Sequence, residues 1–281
     1  MAIQNNQVAK TTTKPKFSVA LQSDKYKALI NNTLRDPNRA NRFIANISSA
    51  VALNPALQEC DAGTILSCAL VGEALNLSPS PQLGQFYLVP FKDNTNHRIV
   101  AQFQIGYKGY IQLAIRSGFY KKLNVLAIKE GELVRYNPLT EELVVNLIED
   151  DEIRENTPTV GYYAMFEYSN GFVKSIYWSK KKMIEHAKTY SKGYKSDLDK
   201  GTSYTFWSKD FDGMAYKTML RQLISKWGVM SVEMQEAYSK DMATINEDGK
   251  VDYIDNTPDT IDTPTQITEQ SENVVDELED F

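Results

Sequence analysis

Residues 82–118 read QLGQFYLVPFKDNTNHRIVAQFQIGYKGYIQLAIRSG. The pattern is strand, turn, strand, helix. Gln85–Phe91 alternates weakly and is rich in aromatics, as suits a half-buried strand. Lys92-Asp93-Asn94-Thr95-Asn96 is turn chemistry, because Asp and Asn tolerate left-handed backbone and bond their own amides. Arg98–Ile105 is the return strand, which makes the pair a hairpin, and Gly106 breaks it. Tyr107, Tyr110, Ile111, Ala114 and Ile115 then fall at i, i+3, i+4, i+7 and i+8, one apolar helix face, with Gly118 at the expected left-handed stop. Lys108, Gln112 and Arg116 form a separate polar stripe at i, i+4 and i+8. Its ends lie roughly 12 Å apart at ~1.5 Å per residue. Cations so spaced suit a sugar-phosphate chain; the plainer reading is a solvated face beside a core face.

Upstream, Ser23 is placed to cap a helix through DKYKALINNTL. A second helix follows Asp36-Pro37, with Phe43, Ile44, Ile47, Ala50 and Val51 on one side. Arg35, Arg39 and Arg42 crowd its start, where the helix dipole disfavours cations. This points to an external partner or to tertiary context. Asp61 caps AGTILSCALVGEALNL, which is apolar almost all round and therefore buried, with Cys68 as a small core residue.

Downstream, Tyr120–Lys129, Leu133–Tyr136 and Leu143–Leu147 read as strands. The run Glu149-Asp150-Asp151-Glu152 reads as a solvated loop in a hairpin connection, with a metal or acid/base cluster as the weaker alternative. Ser169-Asn170-Gly171 joins strands Val160–Tyr168 and Phe172–Trp178 in a tight hairpin. Ser179 caps a helix that opens on Lys180, Lys181 and Lys182, and Ser191–Thr202 reads as a Gly- and Lys-rich loop that orders on DNA. Trp207–Trp227 is one helix, or two broken near Gly213, with Lys217, Arg221 and Ser225 opposite Tyr216, Leu220, Leu223 and Trp227. A short helix over Val232–Met242 closes the body.

The chain has 281 residues and 42% hydrophobic content, enough to bury a core. Its net charge of −5 hides an asymmetry. From Asp241 to Phe281 there are 13 acidic residues and one Lys, so this segment carries −12 and the first 240 residues carry +7. A basic body suits a polyanion. Three segments are expected: a mobile basic arm over 1–23 with Lys10, Lys14 and Lys16, a core over 24–242, and a disordered acidic tail over 243–281. Cys60 and Cys68 match no zinc spacing, and only His97 and His186 accompany them, so both are expected as reduced thiols in a cytoplasm. No signal peptide or membrane span is expected. There is no phosphate loop and no dinucleotide fingerprint, and neither an enzyme nor a cofactor is expected.

GQFYLVPF, QFQIGYKGYIQLAIRSG and YTFWSKDFDGMAYKTMLRQLISKW resemble the RecT family of phage single-strand annealing proteins, a likeness that covers about residues 30–230. The resemblance implies an α+β fold, an antiparallel sheet with hairpins packed against helices. It also implies ATP-independent annealing of single-stranded DNA, assembly into rings or filaments, and a phage exonuclease and a host single-strand-binding protein as partners. Together with the two stripes, it leads to an expected groove that grips one strand along its backbone. The groove would be built from the Lys92–Arg98 hairpin, Lys108/Gln112/Arg116 and Lys217/Arg221, with Gln104 and Tyr107 near its floor and Lys209 and Lys226 at its edges. The competing readings are a passive single-strand coat and, more weakly, a metal-dependent nuclease.

Overall fold

A computed structural model describes residues 17–93 and 96–252. Lys10, Lys14, Lys16, Asn94, Thr95 and the acidic stretch 253–281 lie outside the described residues. The fold is α+β. Helices α1 (Phe17–Ala20), α2 (Asp24–Leu34) and α3 (Pro37–Leu53) precede a 3-10 turn at Pro55–Glu59 and the buried α4 (Ala62–Ala74). Then come β1 (Phe86–Asp93), β2 (Arg98–Ile105), α5 (Tyr107–Ser117), β3 (Tyr120–Lys129), β4 (Leu133–Asn137), β5 (Glu142–Val145) and α6 (Asp151–Asn156). The chain continues through β6 (Thr159–Tyr168), β7 (Val173–Ser179), α7 (Lys180–Tyr190), α8 (Lys192–Lys200), α9 (Phe206–Lys209), α10 (Phe211–Trp227), α11 (Val232–Lys240), β8 (Ala243–Ile245) and β9 (Val251–Asp252).

Two antiparallel sheets, ordered β1-β2-β8-β9 and β3-β6-β7, each carry a core on one face, and β4-β5 is a separate hairpin. Phe86, Leu88, Ala101, Phe103 and Ile105 of the first sheet pack into one core with α4, whose Ile65, Leu66 and Cys68 are fully buried. Burial pushes the Cys68 thiol up to about 12, so it behaves as an apolar side chain. Tyr162, Ala164 and Phe166 of the second sheet pack with Met183, Trp207 and Met219 in another core. Helix α10 joins the two: Leu220 and Ile224 enter the first core, and Ala215, Met219 and Leu223 the second. Gly106 and Gly109 are required by close approach. A Cβ on Gly106 would strike the Gly84 carbonyl oxygen, and one on Gly109 the Gln85 carbonyl oxygen.

Several expectations need correction. The arm ends earlier than Ser23, because Phe17 and Leu21 are buried against the helical core. Residues 191–202 are not a loop but helix α8, capped by Ser191 and closed by left-handed Gly201. The break before α10 falls at Asp210, which caps it through the Gly213 amide, and not at Gly213. Asp151–Asn156 is a short helix with Asp150 as its cap. Its Arg154 pairs with buried Glu132 at 2.6 Å, so part of the acidic run serves local architecture. Arg39 pairs with Glu73, which supplies the tertiary context that the crowded arginines of α3 called for.

The largest correction concerns Asp241, the first residue of the acidic stretch, and the chain just beyond it. Asp241 is 2% exposed. Its carboxylate accepts from the Ile105 amide (3.0 Å), the Tyr110 hydroxyl (3.4 Å), Lys217 Nζ (2.8 Å) and an Arg221 amino group (2.9 Å). The body therefore runs past residue 242. Thr244 and Ala243 pair with Gln102 and Phe103, and Glu247 bonds Tyr26 and Lys25 of α2. Composition could not show this, because four donors around one carboxylate offset the burial of its charge. Replacing Asp241 by Ala leaves Lys217 and Arg221 uncompensated and is expected to cost about 3–5 kcal/mol of stability in urea unfolding; an unchanged midpoint would contradict the hub.

Candidate nucleic-acid interface

The first sheet has a second face. Strand alternation and register put Tyr87, Val89 and Phe91 of β1 beside Gln104, Gln102 and Val100 of β2 there. Opposite stand α9, the start of α10 and the junction of α7 with α8. The space between is a groove in two connected parts. The narrower part, about 180 Å³, is lined by Tyr87, Gln104, Tyr107, Phe206, Lys209 and Met214, among others. The wider part, about 430 Å³, shares Gln104, Phe206, Lys209 and Met214 and extends past Gln102 to Lys192 and Tyr204.

The helical wall is held by Asp197, which is buried at 4% exposure. Its carboxylate accepts from the hydroxyls of Thr202 (2.6 Å), Thr205 (2.8 Å) and Ser208 (2.7 Å) and from the amides of Tyr204 and Thr205. These donors, the Thr202 hydroxyl foremost, hold its carboxyl far below the usual carboxylate range. The clasp is thus complete above the ordinary Asp pKa of about 3.9 and opens only well below it. It fixes the segment that presents Tyr204, 79% exposed, and Phe206, 39% exposed.

The structure divides the expected site residues. Gln104, Tyr107, Lys209 and Lys217 line the narrow part. Lys108 stands beside it: its ammonium is 6.0 Å from the Tyr107 ring, and its aliphatic stem lies near Gly84, where the Tyr87 hydroxyl also sits. Lys217 and Arg221 do not form a solvated stripe. Lys217 is 5% exposed, and both point at Asp241, with Arg221 also 4.0 Å over the Tyr238 ring. The i, i+4 spacing identified their shared face but not what it meets. Arg116 turns back to the carbonyls of Leu75 (2.8 Å) and Asn76 (3.4 Å), where it stabilises the end of α4. Gln112 is exposed beside it. Arg98 is paired to Asp93 (3.2 Å) and bonded to Asn246. Lys92 is exposed, and alternation puts it on the opposite face from Phe91. Lys226 is exposed at the far end of α10.

Tyr87, Gln102, Tyr204 and Phe206 line the groove and were not singled out by the sequence alone. For Tyr87 and Gln102 the alternation of the hairpin strands was a usable signal; for Tyr204 and Phe206 no periodicity exists. Gln102 is 2% exposed, and its Nε2 donor has no hydrogen-bond partner, while its Oε1 accepts from Gln104 at 3.3 Å. Thr244, its direct partner across the ladder, likewise has an unpartnered hydroxyl. An unsatisfied buried polar group costs about 1–3 kcal/mol, so a donor left at a groove floor calls for a ligand or a water. Lys108 and Lys209 form no ion pair among the described residues. The lining thus combines cations, part-exposed rings and an amide donor, which suits a polyanion carrying planar bases. No group of three or more His, Cys, Asp or Glu among the described residues could hold a metal ion. No helix among them is long and apolar enough to cross a membrane.

Comparison with known proteins agrees with this chemistry. The profile of the RecT family matches residues 41–255. The chain is similar to the uncharacterized protein YqaK of Bacillus subtilis (strain 168), with 41% identity over 78% of this chain and 72% of that protein. It is also similar to Protein RecT of Escherichia coli (strain K12), with 30% identity over 72% of this chain and 71% of that protein. The match takes in both sheets, the groove and the Asp241 hub, and the chain belongs to the RecT family, whose membership supports a role in single-strand DNA annealing and recombination.

Proposed function

We propose that the chain binds single-stranded DNA in the groove between the β1-β2 face and α8–α10, and anneals complementary strands without ATP during phage homologous recombination. The observation that carries this reading is the contrast among cations. Lys217, Arg221, Arg116 and Arg98 are each engaged by protein groups, whereas Lys108 and Lys209 flank the groove with no acidic partner among the described residues. Unpaired cations along a cleft lower the repulsion between phosphates. Tyr87, Tyr107 and Phe206 offer ring faces, worth ~1–3 kcal/mol per stacked base.

Annealing is downhill, with stacking worth ~1.4 kcal/mol per base-pair step. A protein that promotes it needs no reaction centre. It has to neutralise phosphates, hold the strand extended and leave base edges open. We infer that many copies in a row, as an oligomer or filament, hold the strand and retain the new duplex. By family membership, we further propose action in the bacterial cytoplasm alongside a phage-encoded exonuclease and the host single-strand-binding protein.

Lys108→Ala and Lys209→Ala are each expected to weaken binding to oligonucleotides of any sequence. Each should also lower the salt slope by about one unit, since one phosphate fewer is neutralised, read by anisotropy across a salt series. An unchanged affinity and slope in the double variant would sink the groove. In a two-oligonucleotide fluorescence assay the wild-type chain is expected to speed pairing; slower pairing than protein-free DNA would identify a passive coat instead.

A further inference from the structure

A second group of cations and rings lies away from the groove, along the outer edge of the second sheet. Strand β7 is the last in the order β3-β6-β7. Its Lys174 and Trp178 sit across from Phe166 and Tyr162, on the face that meets α10. Helix α10 ends there with Lys226 and Trp227, and α7 begins there with Lys182. The Lys174 ammonium is 4.3 Å from the Trp227 ring centre, and that of Lys182 is 4.3 Å from the Trp178 ring centre. Lys174 is also paired with Glu141. Lys182 and Lys226 have no ion pair among the described residues.

The arrangement costs energy in the isolated chain. Lys182 and Lys226 are close enough that, after burial, the charge of Lys226 is the next cause depressing the Lys182 ammonium. Lys180, Lys181 and Lys182 fill the first turn of α7, the positive end of that helix, with no acid in that turn. An anion placed here would relieve both repulsions. Trp227 is 42% exposed although the Lys174 ammonium stands over its ring, so part of the side chain remains within reach of a ligand. Trp178 and Lys174 are four residues apart, roughly 13 Å along a strand, which is about two nucleotides of an extended single strand.

We propose that Trp178, Lys182, Lys226 and Trp227 form a second binding surface for single-stranded nucleic acid, separate from the groove. Bases stack on the indoles, and phosphates meet the two lysines. The inference rests on the reading of the chain as a single-strand binder and adds where a further length of strand is held.

The test uses the full chain with Trp207→Phe, which leaves Trp178 and Trp227 as the emitters, titrated with oligodeoxythymidylate. Indole quenching reports the strip, and anisotropy of a labelled oligonucleotide reports total binding. Quenching is expected to accompany binding. In Lys182→Glu/Lys226→Glu, half-quenching is expected to need about tenfold more DNA; Trp227→Ala should remove part of the signal. Circular dichroism and melting check that each variant is folded. Binding by anisotropy without quenching, or quenching unaltered by the charge reversal, overturns the strip while the groove stands. Absence of both signals sinks the single-strand reading itself. Emission that ignores DNA but changes on deletion of residues 253–281 assigns the strip to the acidic tail and overturns the proposal.

Discussion

The fold depends on one buried carboxylate. Asp241 joins the end of β2, the start of α5, the middle of α10 and the exit from α11, through donors from Ile105, Tyr110, Lys217 and Arg221. Burial is the main cause that pushes the Tyr110 hydroxyl far above its usual range, followed by the charge of Asp241, so the hydroxyl keeps its proton and stays a donor. Each member is needed because the others are buried. Removal of one partner leaves a charge in a medium that cannot solvate it. The hub also ties the end of β2 to the middle of α10, the two elements whose neighbours line the groove.

Helix α10 is the other constraint. Two sheets that share no ladder are held together by this helix, which presents Leu220 and Ile224 to one core and Met219 and Leu223 to the other, and by Tyr120, Leu123 and Val125 of β3, which pack against both. Its N-terminal end meets α9 and the Asp197 clasp, and its C-terminal end meets the edge of β7. The groove and the proposed strip beside β7 therefore lie at the two ends of one helix. Packing decides which cations are left available: those along the helix interior are consumed by Asp241, and those at its ends are not.

For the role that membership of the RecT family supports, this partition of cations matters. Buried ion pairs bring specificity of packing but no binding energy for DNA, whereas unpaired lysines beside rings release counterions when a strand arrives. The chain has a lysine without an ion pair among the described residues and a buried paired one within a few residues of each other, at Lys209 and Lys217. Their roles differ because one lies on the groove rim and the other meets a carboxylate from 24 residues further along.

The hairpin of β1 and β2, the amphipathic α5, the buried α4 and the turn at Asn170-Gly171 were legible in the sequence, because period, turn residues and caps are local and each element carries its own signal. Membership of the family was legible for the same reason, in the GYKG and YTFW stretches. Part of the lining of the candidate groove was legible. Gln104, Tyr107 and Lys209 meet at the groove, but periodicity could not tell that Lys217, Arg221 and Arg116 are spent on Asp241 and on the end of α4. Nor could composition tell that an aspartate at the head of an acidic run is buried among four donors. A stripe in sequence shows which side chains share a face; what that face meets depends on chain that arrives from elsewhere, and only the tertiary structure supplies it.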